Sequence, residues 1–384
     1  MRAAAVLKRL ERWWRRFWIG ALALVMRRGA APGPPDWGAR PHRVLFLRHD
    51  RIGDMILSTG LLRVIATSHP TIELDVLASP ANAPVLREDP HVRTVIVFDR
   101  ARPLRYLDTV RRLRRARYDA VIDCMPTAPS LTTLLLILAS GARHRIGVAG
   151  RGHDDAFTLL VAPREGARHI VDQLAALAAA FGVDPDTADF APRVYLSPRE
   201  RTDAAAIWDA HAGGGAGGRR LLVNVSSGRS FRRWPDERFV EAIRHVLRRA
   251  PELSVIVVGA PDERDRAAAI AGAAGVPFVP TPGLRDALAL VDTADLVFTP
   301  DTGLAHAASA SGRPAVVMHI RGTASQWGLY RSPGAEVSSA DGALASLPVE
   351  AVLPEFERLL AVGGPTPHRA ANSPHDAEIG HFVR

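Results

Sequence analysis

Short apolar runs alternate with longer segments of helical periodicity from residue 43 onward. In the first half of the chain, the apolar runs predict strands at 44–48, 72–78, 92–98 and 120–123. The other segments predict helices at 55–68, 104–117, 131–139 and 169–181. Because strands that alternate with helices lie parallel and are covered on both faces, this half predicts a doubly wound α/β domain.

A glycine-rich stretch at 211–218 interrupts the pattern, which then restarts. The second half predicts strands at 221–225, 254–258, 295–299 and 315–319. Its predicted helices lie at 237–249, 263–273, 284–291 and 304–311. The sequence therefore predicts an α/β fold with two Rossmann-like domains that face a cleft, at 41–210 and 219–362. Residues 1–40 are predicted to form an amphipathic helix and a linker, and residues 363–384 a loose tail.

Charge is concentrated at one end of the chain. The 384 residues carry 49 Lys and Arg against 40 Asp and Glu, a net charge of +9. Residues 1–28 hold eight of the basic residues and a single acidic one, so they account for +7 and leave +2 for the remainder. The rest of the chain therefore lacks the strongly basic composition that is typical of a nucleic-acid-binding protein. The single cysteine, Cys124, excludes an intramolecular disulfide framework and a cysteine-based zinc site.

The N-terminal segment has the pattern of an interfacial helix. On a helical wheel one side is apolar and the other basic, and the uncharged run at 17–26 is half of the ~20 residues that a membrane span needs. This pattern predicts a peripheral protein on the cytoplasmic face of the inner membrane. Four aromatic side chains are predicted to contact the membrane: Trp13, Trp14, Phe17 and Trp18. The alternative is a helix that packs on the protein's own body. Residues 30–35 read as a stiff linker.

Three loops at predicted strand ends carry candidate chemistry. The first, at 48–54, ends in Asp54 at the start of a predicted helix. This carboxylate is either a helix N-cap or a general base, and a helix N-terminus would weaken it as a base. The loop has too few glycines for a dinucleotide fingerprint, and the chain contains no P-loop.

The second loop, at 226–235, combines small hydroxyl side chains with three arginines. It predicts an anion cradle, and the alternative is a solvated turn. The third loop, at 299–308, turns through Gly303 into a helix rich in small residues, whose backbone N–H groups suit a diphosphate. His306 is placed either to reach the same anion or to have a structural role.

In their order and spacing, these three loops resemble glycosyltransferase family 9, the heptosyltransferase family of lipopolysaccharide core assembly. The resemblance covers about residues 43–330. The Asp-Thr-Gly-x-x-His sequence at 301–306 and the upstream Trp-Pro at 234–235 are its specific elements, whereas Gly-Asp at 53–54 alone is weak.

The resemblance implies a GT-B fold and sugar transfer with inversion, without a required metal or other cofactor. The implied donor is a nucleotide-diphosphate sugar, usually ADP-heptose, and the implied acceptor is the lipopolysaccharide core or a related anionic glycolipid. Asp54 matches the base that deprotonates the acceptor. The matched donor-site positions are Ser227 and Arg232 near the phosphates, Glu263 near the ribose, and Asp301, Thr302, Gly303 and His306 around the diphosphate.

Some positions depart from the family pattern. Arg232 replaces a usual Lys, and Gly60 stands where Pro is common. Residues 321–323 read Arg-Gly-Thr in place of Gly-Pro-Thr, which leaves the donor sugar open. Two other functions remain as alternatives: a sugar-nucleotide epimerase of similar fold, and a non-catalytic relative that binds nucleotide sugar or glycolipid.

Overall fold

The computed structural model of this protein describes residues 17, 20–22, 26, 33–102, 106–125, 129–211 and 218–361. The chain forms two compact units. Unit 1 comprises residues 1–197 together with 323–330, and unit 2 comprises residues 198–322 together with 331–384. Most of the predicted N-terminal helix and linker at 1–40, the glycine-rich residues 212–217 and the predicted tail at 363–384 lie outside the described residues.

Unit 1 is built on six parallel strands and the helices between them. The strands are β1 (His42–Arg48), β2 (Ile72–Ala78), β3 (Thr94–Val97), β4 (Ala120–Asp123), β5 (His144–Val148) and β6 (Leu159–Val161). The helices are α1 (Ile52–Ser68), α2 (Tyr106–Ala116), α3 (Leu131–Ser140) and α4 (Ile170–Ala175), which continues as a 3-10 helix over Ala176–Phe181.

The strand order of this sheet is β3-β2-β1-β4-β5-β6. The order reverses between β1 and β4, where Leu47 lies opposite Asp123 on one side and Leu77 on the other. In doubly wound sheets, ligands bind outside the carboxyl ends of the strands at such a reversal. The loops that follow β1 and β4 are therefore the expected binding region of unit 1.

Unit 2 is built on five parallel strands. They are β7 (Arg220–Asn224), β8 (Ser254–Val258), β9 (Leu296–Pro300), β10 (Ala315–His319) and β11 (Gly334–Ser338). The helices are α5 (Pro198–Ala210), α6 (Asp236–Arg249), α7 (Arg264–Ala274), α8 (Leu284–Asp292), α9 (Gly303–Ala310), α10 (Ala324–Trp327) and α11 (Leu353–Ala361), of which α10 lies in the stretch assigned to unit 1.

The strand order here is β8-β7-β9-β10-β11, with the reversal between β7 and β9. The loops after these two strands are the sequence-predicted motifs at 226–235 and 299–308, which places both of them at the expected binding region. The prediction of two doubly wound α/β halves is confirmed. β5, β6 and β11 were not predicted, because polar residues and glycine interrupt the apolar pattern of β5 and β11 and because β6 is only three residues long.

A short stretch of the chain leaves unit 2 after β10 and returns before β11. Residues 323–330 pack with unit 1, where His169 Nε2 lies 3.1 Å from the carbonyl oxygen of Gly328. The Tyr330 hydroxyl donates to Asp172 Oδ1 at 2.8 Å. Unit 1 is therefore completed by residues that follow most of unit 2 in sequence.

The end of the N-terminal segment packs against unit 1. Met26 is buried in a core cluster that also contains Leu113 and Leu134, and its carbonyl oxygen accepts a hydrogen bond of 2.7 Å from Arg145 Nη2. Phe17, in contrast, is 55% exposed. Across the part of the chain that the structure describes, no helix has the length and hydropathy needed to cross a bilayer.

Candidate functional site

A buried arginine organises the loop after β1. Arg48 is fully buried, and its Nε donates to the carbonyl oxygen of Asp54 at 3.0 Å. Its Nη2 lies 3.4 Å from Asp54 Oδ1, and its Nη1 donates to the carbonyl oxygen of Cys124. The guanidinium thus ties the loop after β1 to the loop after β4 and holds the Asp54 side chain in place.

Asp54 is the third residue of α1, and Arg51 occupies the N-cap position without a side-chain cap. The N-cap interpretation of Asp54 is therefore wrong. The side chain is 9% exposed, so only its edge reaches the surface. A carboxylate held by a guanidinium at the carboxyl end of the sheet is suited to accept a proton from a bound hydroxyl group.

Two further carboxyl groups, Asp50 and Asp123, interact with Arg48, and the sequence motifs did not single them out. Asp50 Oδ1 is 3.5 Å from Arg48 Nε, and burial raises the pKa of Asp50 to about 6 against the opposing charge of Arg48. Burial also raises the pKa of Asp123, at the end of β4, to about 7. The signal that could have found Asp123 is its place at the reversal of strand order, which strand prediction alone does not give.

The loop after β7 is held in unit 2 by the side chains of Trp234 and Arg266. The fully buried Trp234 donates from its indole N–H to the carbonyl oxygen of Leu347 at 2.8 Å. Its ring meets Phe239 edge-on at 4.9 Å. Arg266 Nη2 donates to the carbonyl oxygen of Trp234 at 3.0 Å. The tryptophan of the Trp-Pro element thus anchors the arginines that precede it.

Glu263 forms hydrogen bonds and an ion pair with this loop. The backbone N–H of Ser227 donates to Glu263 Oε2 at 2.9 Å, and the Ser227 hydroxyl donates to Oε1 at 3.1 Å. Arg233 Nη2 lies 3.3 Å from the same Oε1. Two predicted donor-site residues, Ser227 and Glu263, are therefore in direct contact.

Arg232 bridges the two loops at the reversal point of unit 2. Its Nη1 donates to the carbonyl oxygen of Asp301 at 3.1 Å and lies 2.9 Å from Asp301 Oδ2. On the other side of Asp301, His306 Nε2 is 3.9 Å from Oδ1. Burial and the neighbouring Arg232 charge lower the pKa of His319 to about 4, so that this histidine is neutral at pH 7. His319 therefore adds no positive charge beside Arg232 at this pH.

Thr302 is the N-cap residue of α9, and Gly303 is the first residue of this helix. The Thr302 hydroxyl does not cap the helix but accepts a hydrogen bond of 3.1 Å from Asn224 Nδ2. The amino end of α9 therefore lies directly beside β7 and the Arg232–Asp301 pair. Amide N–H groups and arginines at one sheet edge form an environment suited to a diphosphate.

The sequence-predicted donor residues of unit 2 thus fall into two adjoining groups, Ser227 with Glu263, and Arg232 with Asp301, Thr302, Gly303 and His306. Asp54 belongs to unit 1. Of the predicted membrane-contact residues, Phe17 is exposed, and Trp13, Trp14 and Trp18 lie outside the described residues.

Comparison with known proteins defines the family. The sequence profile of "Glycosyltransferase family 9 (heptosyltransferase)" matches residues 107–350, which is more than half of the chain. The chain belongs to glycosyltransferase family 9. This family 9 protein is accordingly a glycosyltransferase, as its sequence motifs predicted.

Its relatives of known function are distant. The family 9 chain is 23% identical over 285 residues to lipopolysaccharide heptosyltransferase 3 of Escherichia coli, covering 69% of this chain and 79% of the relative. It is 23% identical over 294 residues to the lipopolysaccharide core heptosyltransferase OpsX of Haemophilus influenzae, covering 74% and 81%.

Solved structures show the fold. A family 9 glycosyltransferase from Veillonella parvula superposes with a TM-score of 0.75 at 18% identity, covering 86% of this chain and 99% of that one. E. coli heptosyltransferase WaaC with ADP superposes with a TM-score of 0.66 at 20% identity, covering 83% and 99%. The predicted GT-B fold is confirmed for this family 9 protein.

Proposed function

We propose that this protein is an inverting heptosyltransferase that moves heptose from ADP-heptose to a hydroxyl group of the lipopolysaccharide core or a related anionic glycolipid. The observation that carries the proposal is the placement of the predicted residues at the two points of strand-order reversal. Basic and hydroxyl side chains lie at the reversal point of unit 2, and Asp54 lies at the reversal point of unit 1.

The relatives support the choice of donor and acceptor. Two of them are named for heptose transfer to lipopolysaccharide, and the WaaC structure contains ADP. The wider class, transfer of a sugar by a family 9 enzyme, follows from the family itself.

In the proposed reaction, the bond between the anomeric carbon and the donor diphosphate breaks, and its electron pair stays on the leaving ADP. Arg232 and the amino end of α9 stabilise the negative charge that develops there. His306 is proposed to contribute to the same anion site.

The acceptor hydroxyl attacks the anomeric carbon from the face opposite the leaving group, so that the configuration inverts. Its oxygen forms the new glycosidic bond, and its proton passes to the Asp54 carboxylate. Arg48 holds this carboxylate in position through its contacts with the Asp54 main chain and side chain. The transfer needs no redox cofactor, because no atom changes oxidation state overall.

Calorimetric titration of the purified full-length chain with ADP, UDP and GDP, each in EDTA, tests the donor site. We expect ADP to bind most tightly. A preference for UDP or GDP would contradict ADP-heptose as the donor but leave sugar transfer intact. Absence of binding to all three would contradict the assignment of unit 2 as the donor unit.

The acceptor needs a separate test. Incubation with ADP-heptose and truncated lipopolysaccharide should add one heptose, seen by mass spectrometry, and NMR should show inverted anomeric configuration. A product with retained configuration would contradict the proposed single displacement.

We propose further that residues 1–18 hold the enzyme at the cytoplasmic face of the inner membrane. Phe17 is 55% exposed, whereas Met26 is buried in the core of unit 1. Vesicle flotation should therefore weaken when residues 1–18 are removed, a truncation that leaves Met26 in the core. Equal flotation of both chains would contradict this anchor.

A further inference from the structure

Unit 1 exposes apolar side chains on two neighbouring helices. Leu107 and Val110 of α2 are 63% and 37% exposed, and Leu135 of α3 is 49% exposed. The two helices pack against each other, with Leu113 and Leu134 in the buried cluster below. These three exposed side chains and the arginines of α2 next to them form what we call the α2–α3 face.

The same face is strongly basic. Residues 108–117 contain five exposed arginines and one acidic residue, Asp108, which lies 3.3 Å from Arg111. At 100° per residue, Leu107, Val110, Arg111 and Arg114 fall within about 100° of one another around α2. The apolar side chains are thus flanked by cations on a single side of the helix.

The α2–α3 face and the N-terminal segment share one buried cluster. Leu22 and Met26 pack against the cluster to which α2 and α3 contribute Leu113 and Leu134. Exposed leucines among arginines on the outer surface of a helix are the composition of helices that lie in the interface of an anionic membrane. Charge complementarity therefore favours a lipid surface as the occupant of this face.

We propose that the α2–α3 face lies on an anionic lipid bilayer. Leu107, Val110 and Leu135 enter the headgroup region, and Arg111 and Arg114 lie at the level of the lipid phosphates. The folded body of unit 1 then makes a second contact with the membrane, in addition to residues 1–18. This inference rests on the proposed membrane location and on no step of the sugar transfer.

Flotation of the full-length chain with phosphatidylcholine vesicles, with and without phosphatidylglycerol, tests the face. Arg111→Gln with Arg114→Gln should weaken binding to the anionic vesicles about fivefold for each arginine. The control is Arg199→Gln with Arg248→Gln, which removes the same charge from exposed positions of unit 2. Equal binding of the two double variants to anionic vesicles would overturn the proposal. If binding were lost only when residues 1–18 are removed, the α2–α3 face would be excluded as a membrane contact, and the N-terminal segment would remain the proposed anchor.

A site-specific probe gives an independent reading. Cys124 is buried, so Leu107→Cys can be labelled selectively with an environment-sensitive fluorophore. We expect a blue shift on addition of anionic vesicles, and none for Leu160→Cys on the edge strand β6. A label at Leu107 that stays in a polar environment would overturn the proposal. So would a blue shift that follows protein concentration without vesicles, because it would assign the face to a second copy or another protein.

Discussion

The reversal points of the two sheets differ in chemistry although they occupy equivalent places in the fold. In unit 1 the point is lined by Asp50, Asp54 and Asp123 around the buried Arg48. In unit 2 it is lined by arginines, hydroxyl groups and the amino end of α9. Parallel sheets offer both points as binding regions. In the proposed reaction, the carboxylate in unit 1 accepts the proton and the cationic loops in unit 2 bind the diphosphate.

The largest effect is expected at Asp54. Asp54→Asn should lower turnover on the order of 10²–10⁴-fold, because the amide cannot take the acceptor proton. ADP affinity, measured by calorimetry, should stay unchanged, since this residue belongs to unit 1. Turnover close to that of the unaltered enzyme would contradict the proposal that Asp54 of unit 1 accepts the proton.

The corresponding substitution in unit 2 is at Arg232, the arginine beside Asp301. Arg232→Ala should weaken ADP binding about 10- to 100-fold through loss of a charged contact with the diphosphate. Arg232→Lys is the matched control and should retain part of the affinity, because Lys keeps the positive charge. If Arg232→Ala lowered turnover without changing ADP affinity, the anion cradle would need to be reassigned.

The helices near the two sites also differ in how closely they are packed. A Cβ atom on Gly60 of α1 would lie 2.0 Å from the carbonyl oxygen of Phe190, whereas one on Gly272 of α7 would meet nothing within 4 Å. Gly60→Ala should lower the free energy of unfolding by roughly 1–3 kcal/mol, and Gly272→Ala should raise it by roughly 0.5–1 kcal/mol. Denaturant unfolding of both variants checks this, and a tolerated Gly60→Ala would show that α1 can shift.

A further prediction concerns the pH dependence of stability. Because burial raises the pKa of Asp123 from its ordinary value to about 7, folded unit 1 keeps this proton to higher pH than the unfolded chain. Ionisation therefore costs stability, and that stability is lost as pH rises from about 4 to about 7. Asp123→Asn cannot ionise, so its stability relative to the unaltered protein should rise by roughly 3–4 kcal/mol over this range, at about 1.4 kcal/mol per pKa unit. A pH-independent difference would mean that Asp123 is not the titrating group.

Much of the fold could be predicted because apolar runs mark the central strands directly. The strands predicted at 72–78, 254–258 and 315–319 have the bounds found for β2, β8 and β10. The helix predicted at 169–181 is instead α-helical only over Ile170–Ala175 and then 3-10, since its apolar pattern does not distinguish the two hydrogen-bonding schemes.

The candidate sites, like the fold, could be predicted only in part from the sequence. Motif spacing brought forward Arg232 and Asp301, which the structure places 2.9 Å apart. It did not bring forward Asp123, because this residue becomes a neighbour of the β1 loop only through the pairing of β4 with β1. Position in a sheet is a long-range property, and short motifs do not contain it.

The excursion of residues 323–330 has a consequence for the order in which the protein becomes complete during synthesis. His169 and Tyr330, which both belong to unit 1, are 161 positions apart in the chain. At about 5–20 residues per second, the ribosome takes roughly ten to thirty seconds to pass from one to the other. During that interval α4 has already been synthesised, but residues 323–330, which pack with unit 1, have not. A nascent chain halted before residue 323 should therefore be cleaved more readily by protease near α4 than one halted after the whole chain has emerged.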